Sequence, residues 1–182
     1  MNSLLKIFAV LIAILLLYIF PISDAFDRQD DISELVVLRA TTSFVDAVRD
    51  KGYITPTMYN DFLQAIEATG NTFDVQMEHG QKTYDPVYDD PSSSNTFKGT
   101  FAVHYDSYYN AQILPVLFPN SSAGTDDPSR RYHLHVGDTF SVTVKNTNRT
   151  SGTILHDFLN NANSPSEKIF IPYGGVVRNE DN

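Results

Sequence analysis

FVDAVRDKGYITPTMYNDFLQAI, residues 44–66, holds two amphipathic helical patterns on either side of a Gly-Tyr-Ile-Thr turn. Upstream of the turn, Val37, Thr41, Phe44 and Val48 fall on one face at 100° per residue, flanked by Val36, Ala40 and Ala47. Arg39, Asp46, Arg49 and Asp50 fall opposite. Asp30 or Asp31 is the expected N-cap, Arg49 and Lys51 sit in the last turn, and Gly52 is placed as the left-handed C-terminal residue. The spacing predicts a first helix over 31–51. Thr55 followed by Pro56 reads as an N-cap with proline at the first helical position, and Met58, Phe62, Ala65 and Thr69 line one face before Gly70-Asn71 ends the second helix.

Some twenty residues before this hairpin the chain is of another kind. MNSLLKIFAVLIAILLLYIFPISDAF has one Lys, an unbroken apolar run from Ile7 to Phe20, then Pro21 and acids at Asp24, Asp27, Asp30 and Asp31. This pattern predicts a membrane anchor or an export signal over 1–25, with Pro21 as a breaker and Ser23-Asp24-Ala25 offering a small-residue cleavage site. The anchor is the preferred reading, because the run is more apolar than a signal core requires. Lys6 stays inside and the acidic flank crosses, which puts the remainder outside the cytoplasm, in the cell membrane as a single-pass protein. The alternative is a secreted chain cleaved near Ala25.

Downstream of the hairpin, Phe73, Val75 and Met77 alternate with polar residues, as do Tyr132, Leu134 and Val136, then Phe140, Val142 and Val144 after Gly137-Asp138. Those patterns predict antiparallel strands, the second group broken by a Gly-Asp turn or bulge. KIFIPYGGVVRN predicts a last strand bent at Gly174-Gly175. GQKTYDPVYDDPSSSNT reads as a loop, a short helix is expected near Ser107 ending at or before Pro115, and Ile154, Leu155, Phe158 and Leu159 lie at helical spacing. The expected fold is α+β: an N-terminal apolar helix (1–25), an amphipathic helical hairpin (26–71), and a strand-rich part of the same domain (72–182) with an antiparallel sheet and one or two short helices.

The charge narrows the partners. The chain has 13 Lys and Arg against 22 Asp and Glu, a net charge of -9, and residues 26–182 keep all of it, so no nucleic-acid partner is expected. Cysteine is absent, which leaves no disulfide framework and no thiolate chemistry, and in an exported chain points to a Gram-positive-type envelope. G-x-S-x-G and H-E-x-x-H motifs are missing as well, so no enzyme and no cofactor are expected. His133 and His135 form an H-x-H pair that some metal sites use, with His79, His104, His156 or an acid as a third ligand, but solvent-side strand residues explain the pair better. The acids at 85–90 and Asp126-Asp127 fit solvated turns better than a calcium loop. Tyr105, Tyr108, Tyr109 and Tyr132 suit either core packing or a partner surface.

TSFVDAVRDKGYITPTMYNDFLQAIEATGNTFDVQMEH, residues 42–79, resembles membrane-anchored envelope proteins of Firmicutes associated with Tad/Flp-type pilus assembly. The resemblance rests on Phe44-Val45-Asp46, Arg49, Gly52, Ile54-Thr55, Tyr59, Phe62-Leu63, Thr69-Gly70-Asn71 and Asp74-Val75, with Gly137-Asp138 and Tyr173-Gly174-Gly175-Val176-Val177 later in the chain. Pilin precursors carry a Gly or Ala before the apolar helix and a Glu five residues into it; MNSLLKIFAV has neither. The resemblance implies a non-enzymatic, pseudopilin-like or accessory subunit that meets the membrane through its first helix and other protein subunits through its domain. Val37, Phe44, Val48, Tyr59 and Phe62 are the expected packing or contact residues. The alternative is an extracytoplasmic module that binds a ligand, an envelope polymer or a metal ion.

Overall fold

The computed structural model describes residues 2–120 and 123–180. Met1, positions 121–122 and positions 181–182, which belong to the expected anchor and strand-rich segments, lie outside the described residues. The fold is α+β, a long N-terminal helix followed by an antiparallel sheet with a few short helices.

Helix α1 runs unbroken over Asn2–Lys51, through Pro21 and through the Asp30-Asp31 pair. The expected break at Pro21 and the expected N-cap at Asp30 or Asp31 are therefore corrected. Proline removes one backbone hydrogen bond and crowds the carbonyl four residues back, yet α1 continues through it. The first half of α1 is exposed and apolar, and the stretch is long and apolar enough to cross a membrane. The second half is buried along one stripe: Asp30, Ser33, Val37, Thr41, Phe44, Val45 and Val48. Of the residues expected opposite, Arg49 instead lies inward, its guanidinium packed over Gly175 and its Nε donating to the Val176 carbonyl at 2.9 Å.

Gly52 closes α1 at φ +74°, a left-handed conformation in which its N–H reaches the Val48 carbonyl at 2.8 Å. Strand β1, Tyr53–Ile54, then leads to helix α2, Pro56–Glu67. Thr55 caps α2 by accepting the Met58 N–H at 3.1 Å, with Pro56 opening the helix, as the sequence predicts. Tyr59, Phe62 and Ile66 face α1 and are buried. Phe44 of α1 stacks on Phe62 with ring centroids 4.7 Å apart and meets Tyr59 and Phe140 edge-on.

The main sheet comprises β2 (Phe73–Tyr88), β3 (Phe97–Tyr109), β5 (Thr139–Asn146) and β6 (Phe170–Val176), in the order β3-β2-β5-β6 and antiparallel throughout. Val75 and Met77 of β2, Phe140, Val142 and Val144 of β5, and Ile171 of β6 supply its buried face, and α1 lies across β5 and β6. Strand β4, Tyr132–His133, pairs with β1 in a second, two-stranded sheet, so the histidine-bearing segment and β5 belong to different sheets. Helix α3 spans Asn110–Leu117 and continues past Pro115, two residues beyond the expected stop, with Ile113 and Leu117 buried. Helix α4, Ser151–Asn160, stands where the sequence predicts it.

The segment expected as a loop is largely strand. Beyond Gly80, β2 leaves β5 and pairs with β3 alone to Tyr88, with a register shift between Pro86 and Tyr88. Proline is compatible with this position because the ribbon edge needs no N–H from it. Gly174 and Gly175 also depart from expectation: they lie inside β6, opposite Ser141 and Phe140, rather than at a bend.

Candidate functional site

The buried half of α1 is clasped at both ends. At the end nearer the apolar run, Asp30 accepts hydrogen bonds from the Thr150 hydroxyl at 2.7 Å and the Lys168 ammonium at 2.8 Å. The Thr150 oxygen in turn accepts the Thr153 N–H and caps α4, so one carboxylate in the middle of α1 orients the start of another helix. Asp27, one turn closer to the membrane segment, pairs with His156 at 3.2 Å. Asp157, on the inner side of α4, is held by the Ser164 hydroxyl and N–H and by an ion pair with Arg149. The Ser164 donors keep its carboxyl below the usual carboxylate range against the effect of desolvation.

At the far end, Arg49 bridges Asp46 at 2.7 Å and the β6 backbone, and its own carbonyl accepts the Arg178 N–H at 2.8 Å. Arg178 pairs with Asp50 at 2.9 Å. β6, the segment that follows it at Arg178, and α1 are thereby locked in one orientation.

A second feature is a cleft of about 440 Å³ lined by His79, Tyr108, Tyr132, Arg131, His133 and His135, among others. At its base His79 is 4 % exposed, with Nε2 at 2.9 Å from the Asp138 carboxylate and Nδ1 at 2.8 Å from the Tyr132 hydroxyl. Asp138 also accepts the backbone N–H of Lys82 and of His135. Burial alone raises a carboxyl pKa, but these backbone donations and that from His79 outweigh it and hold Asp138 low. Burial, with Tyr108 and Asp138 nearby, pushes the Tyr132 phenol up to about 12. His79 was legible as an inward residue, since it continues the 73, 75, 77 alternation; its partner across the Gly137 turn was not.

The five expected packing residues, Val37, Phe44, Val48, Tyr59 and Phe62, come together in the core. His133 and His135 line the cleft and are exposed, separated by the buried Leu134. β4 ends at His133, so the two imidazoles are not set by strand alternation as an H-x-H metal pair requires. Among the described residues no group of three or more His, Cys, Asp or Glu gathers to hold a metal ion. Of the acids at 85–90 and 126–127, Asp90 accepts from Ser92 and Asp127 from Ser129 within their turns, whereas Asp85 pairs with His104, Asp89 with Lys98, and Asp126 accepts from the Thr57 hydroxyl.

The β2–β3 ribbon exposes a group of apolar and aromatic side chains. Directly opposed residues share a face, so Tyr84 and Val103, Pro86 and Phe101, and Tyr105 opposite Lys82 lie side by side. Tyr84, Phe101, Val103 and Tyr105 are all about half exposed.

Fold and site together define an α+β domain carried on one long N-terminal helix whose free half is suited to a membrane. No family model matches the chain, and no curated protein or solved structure matches it.

Proposed function

We propose that this protein is a non-enzymatic, membrane-anchored extracytoplasmic subunit of a pilus-like assembly of the Tad/Flp type. The observation that carries the reading is α1 itself: a single helix leaves an exposed apolar half and enters the core without a linker, so position and orientation of the domain follow the membrane segment rigidly. A soluble catalyst gains nothing from such coupling, whereas a subunit that must present a surface at fixed height and angle does. The aromatic face of the β2–β3 ribbon is the surface offered to neighbouring subunits, an exposed apolar patch that a monomer has no reason to keep. The His79 cluster fits a structural staple, because Nε2 and the Asp138 carboxylate tie β2 to the 135–138 turn while Nδ1 ties it to Tyr132 of β4.

The test is fractionation of the native envelope with N-terminal sequencing, combined with cross-linking of V103C, the sole cysteine in an otherwise Cys-free chain. An intact chain in the membrane fraction whose V103C variant cross-links to other envelope proteins or to itself supports the reading. A soluble chain starting at Phe26 overturns it.

The cleft favours a second reading, a binding module with polar and aromatic groups converging on a recess of ligand size. Calorimetric titration with zinc, calcium and envelope glycans separates the two, since stoichiometric binding lost in H133A supports the module.

A further inference from the structure

Helix α4 is amphipathic and packed inside out. Gly152, Thr153 and Asp157 are its buried residues, and His156, on the same side, reaches Asp27. At 100° per residue Ser151, Ile154, Leu155 and Phe158 occupy the opposite side, and Leu159 falls at its border, next to Gly152. Ile154 is 53 % exposed, Leu159 43 % and Phe158 79 %. A surface helix of a soluble domain shows the reverse arrangement.

The contacts of α4 descend along α1 toward the apolar run. Thr150 meets Asp30, the Gly152 backbone lies so close that a Cβ there would sit 2.5 Å from Asp30 Oδ2, and His156 meets Asp27. Ile154, Leu155 and Phe158 share a groove with Phe26. From Leu4 to Ile22 the helix rises ~28 Å at 1.5 Å per residue, close to the ~30 Å of a bilayer's hydrocarbon core. Phe26 follows ~6 Å later, within the depth of one headgroup layer. The exposed face of α4 is therefore brought to the height of the membrane surface.

We infer that α4 lies in the membrane interface, with Ile154 and Phe158 seated at the headgroup–acyl boundary of the bilayer that α1 crosses. The inference rests on α1 being a membrane span. Its occupant is zwitterionic phospholipid: the chain's charge of -9 disfavours an anionic surface, and the exposed side of α4 carries no cation to recruit one. A short apolar face binds lipid weakly when free, but α1 makes the contact intramolecular and so raises its effective concentration. Two attachments, one through the bilayer and one upon it, fix the tilt of the domain as well as its height.

The chain contains no tryptophan, so each single-Trp variant reports from one site. Full-length L17W, F158W and Y84W are reconstituted into phosphatidylcholine vesicles whose acyl chains carry bromine, and quenching is compared with unbrominated vesicles. Phe158 is exposed and aromatic, so F158W preserves the fold and its chemistry. Several-fold stronger quenching of L17W and F158W than of Y84W is the expected result. Quenching of L17W with F158W no different from Y84W overturns the inference and leaves the anchor standing. A blue-shifted F158W emission that depends on protein-to-lipid ratio but not on bromine assigns the face to a second copy and also overturns it. An unquenched L17W overturns the anchor and the interfacial helix together.

Discussion

Asp30 and Thr150 are 120 positions apart and meet through a hydrogen bond of 2.7 Å, joining the middle of α1 to the first turn of α4. Asp30 is 4 % exposed and answers Lys168 as well. Replacing it with alanine strands the cap of α4 and leaves the Lys168 ammonium without its nearest carboxylate. D30A is expected to lose about 1–3 kcal/mol of stability, with amide exchange in residues 151–160 accelerating more than in β5. Hydrogen exchange of the protein in detergent micelles checks both, and uniform acceleration across the two elements would count against the coupling.

Phe44 touches three aromatic rings, whereas Leu35 on the same helix is 64 % exposed. F44A is expected to cost about 3–5 kcal/mol through lost burial and a cavity, and L35A no more than about 0.5 kcal/mol. Urea midpoints of the two variants in micelles decide this.

Asp138 gives the fold an acid-sensitive element. Its carboxyl is held below the ordinary 3.8, so the unfolded chain binds that proton more readily than the native one. The contribution is complete above that value and is lost as the pH falls through the lower native one. D138N should lower the melting temperature at neutral pH and flatten the fall in stability below about pH 4. Melting curves taken across the acid range measure the difference.

At the alkaline end Tyr132 acts with the opposite sign. Burial, Tyr108 and Asp138 raise its phenol from 10.0 to about 12, so the native state retains a proton that the unfolded chain releases. Its contribution is complete below pH 10 and falls away up to about pH 12. Absorbance titration of tyrosinate should show one phenol fewer in the high-pH phase for Y132F, and stability in this range should depend less on pH than in the parent chain.

Gly174 has no room for a side chain: a Cβ would sit 2.5 Å from Ser141 Cβ and 2.9 Å from the Phe140 carbonyl oxygen. At Gly175 the obstacle is the Arg49 guanidinium, the far end of a flexible side chain. G174A is expected to cost about 1–3 kcal/mol and G175A less, since Arg49 can shift while a backbone carbonyl cannot. Equal losses in chemical denaturation would show that Arg49 is as rigid as the strand.

Local patterns carried much of the fold. Val37, Thr41, Phe44 and Val48 marked the buried stripe of α1, Thr55-Pro56 and Gly52 marked helix ends, and the 73, 75, 77 alternation marked β2, because each depends only on repeat geometry within a few residues. Pro86 and the acids around it suggested a loop, yet pairing with β3 makes this segment a ribbon, since strand pairing is set by a partner elsewhere in the chain. The site was less legible. His79 could be placed on the inward face, but Asp138 as its partner depends on β2 and β5 lying side by side.

By itself the sequence determined the elements whose causes are local: an apolar stretch fit for a bilayer, an amphipathic helical hairpin, alternating strands, and an acidic chain without cysteine. Only the tertiary structure decided that α1 is one helix from the apolar run into the core, that Asp30 is a buried anchor point rather than a cap, and that α4 turns its polar side inward. Periodicity tells which residues share a face. Which face is buried depends on what stands opposite, and for α4 that is the pair of carboxylates Asp27 and Asp30, with which Thr150 and His156 make hydrogen bonds that Ile154 and Phe158 cannot.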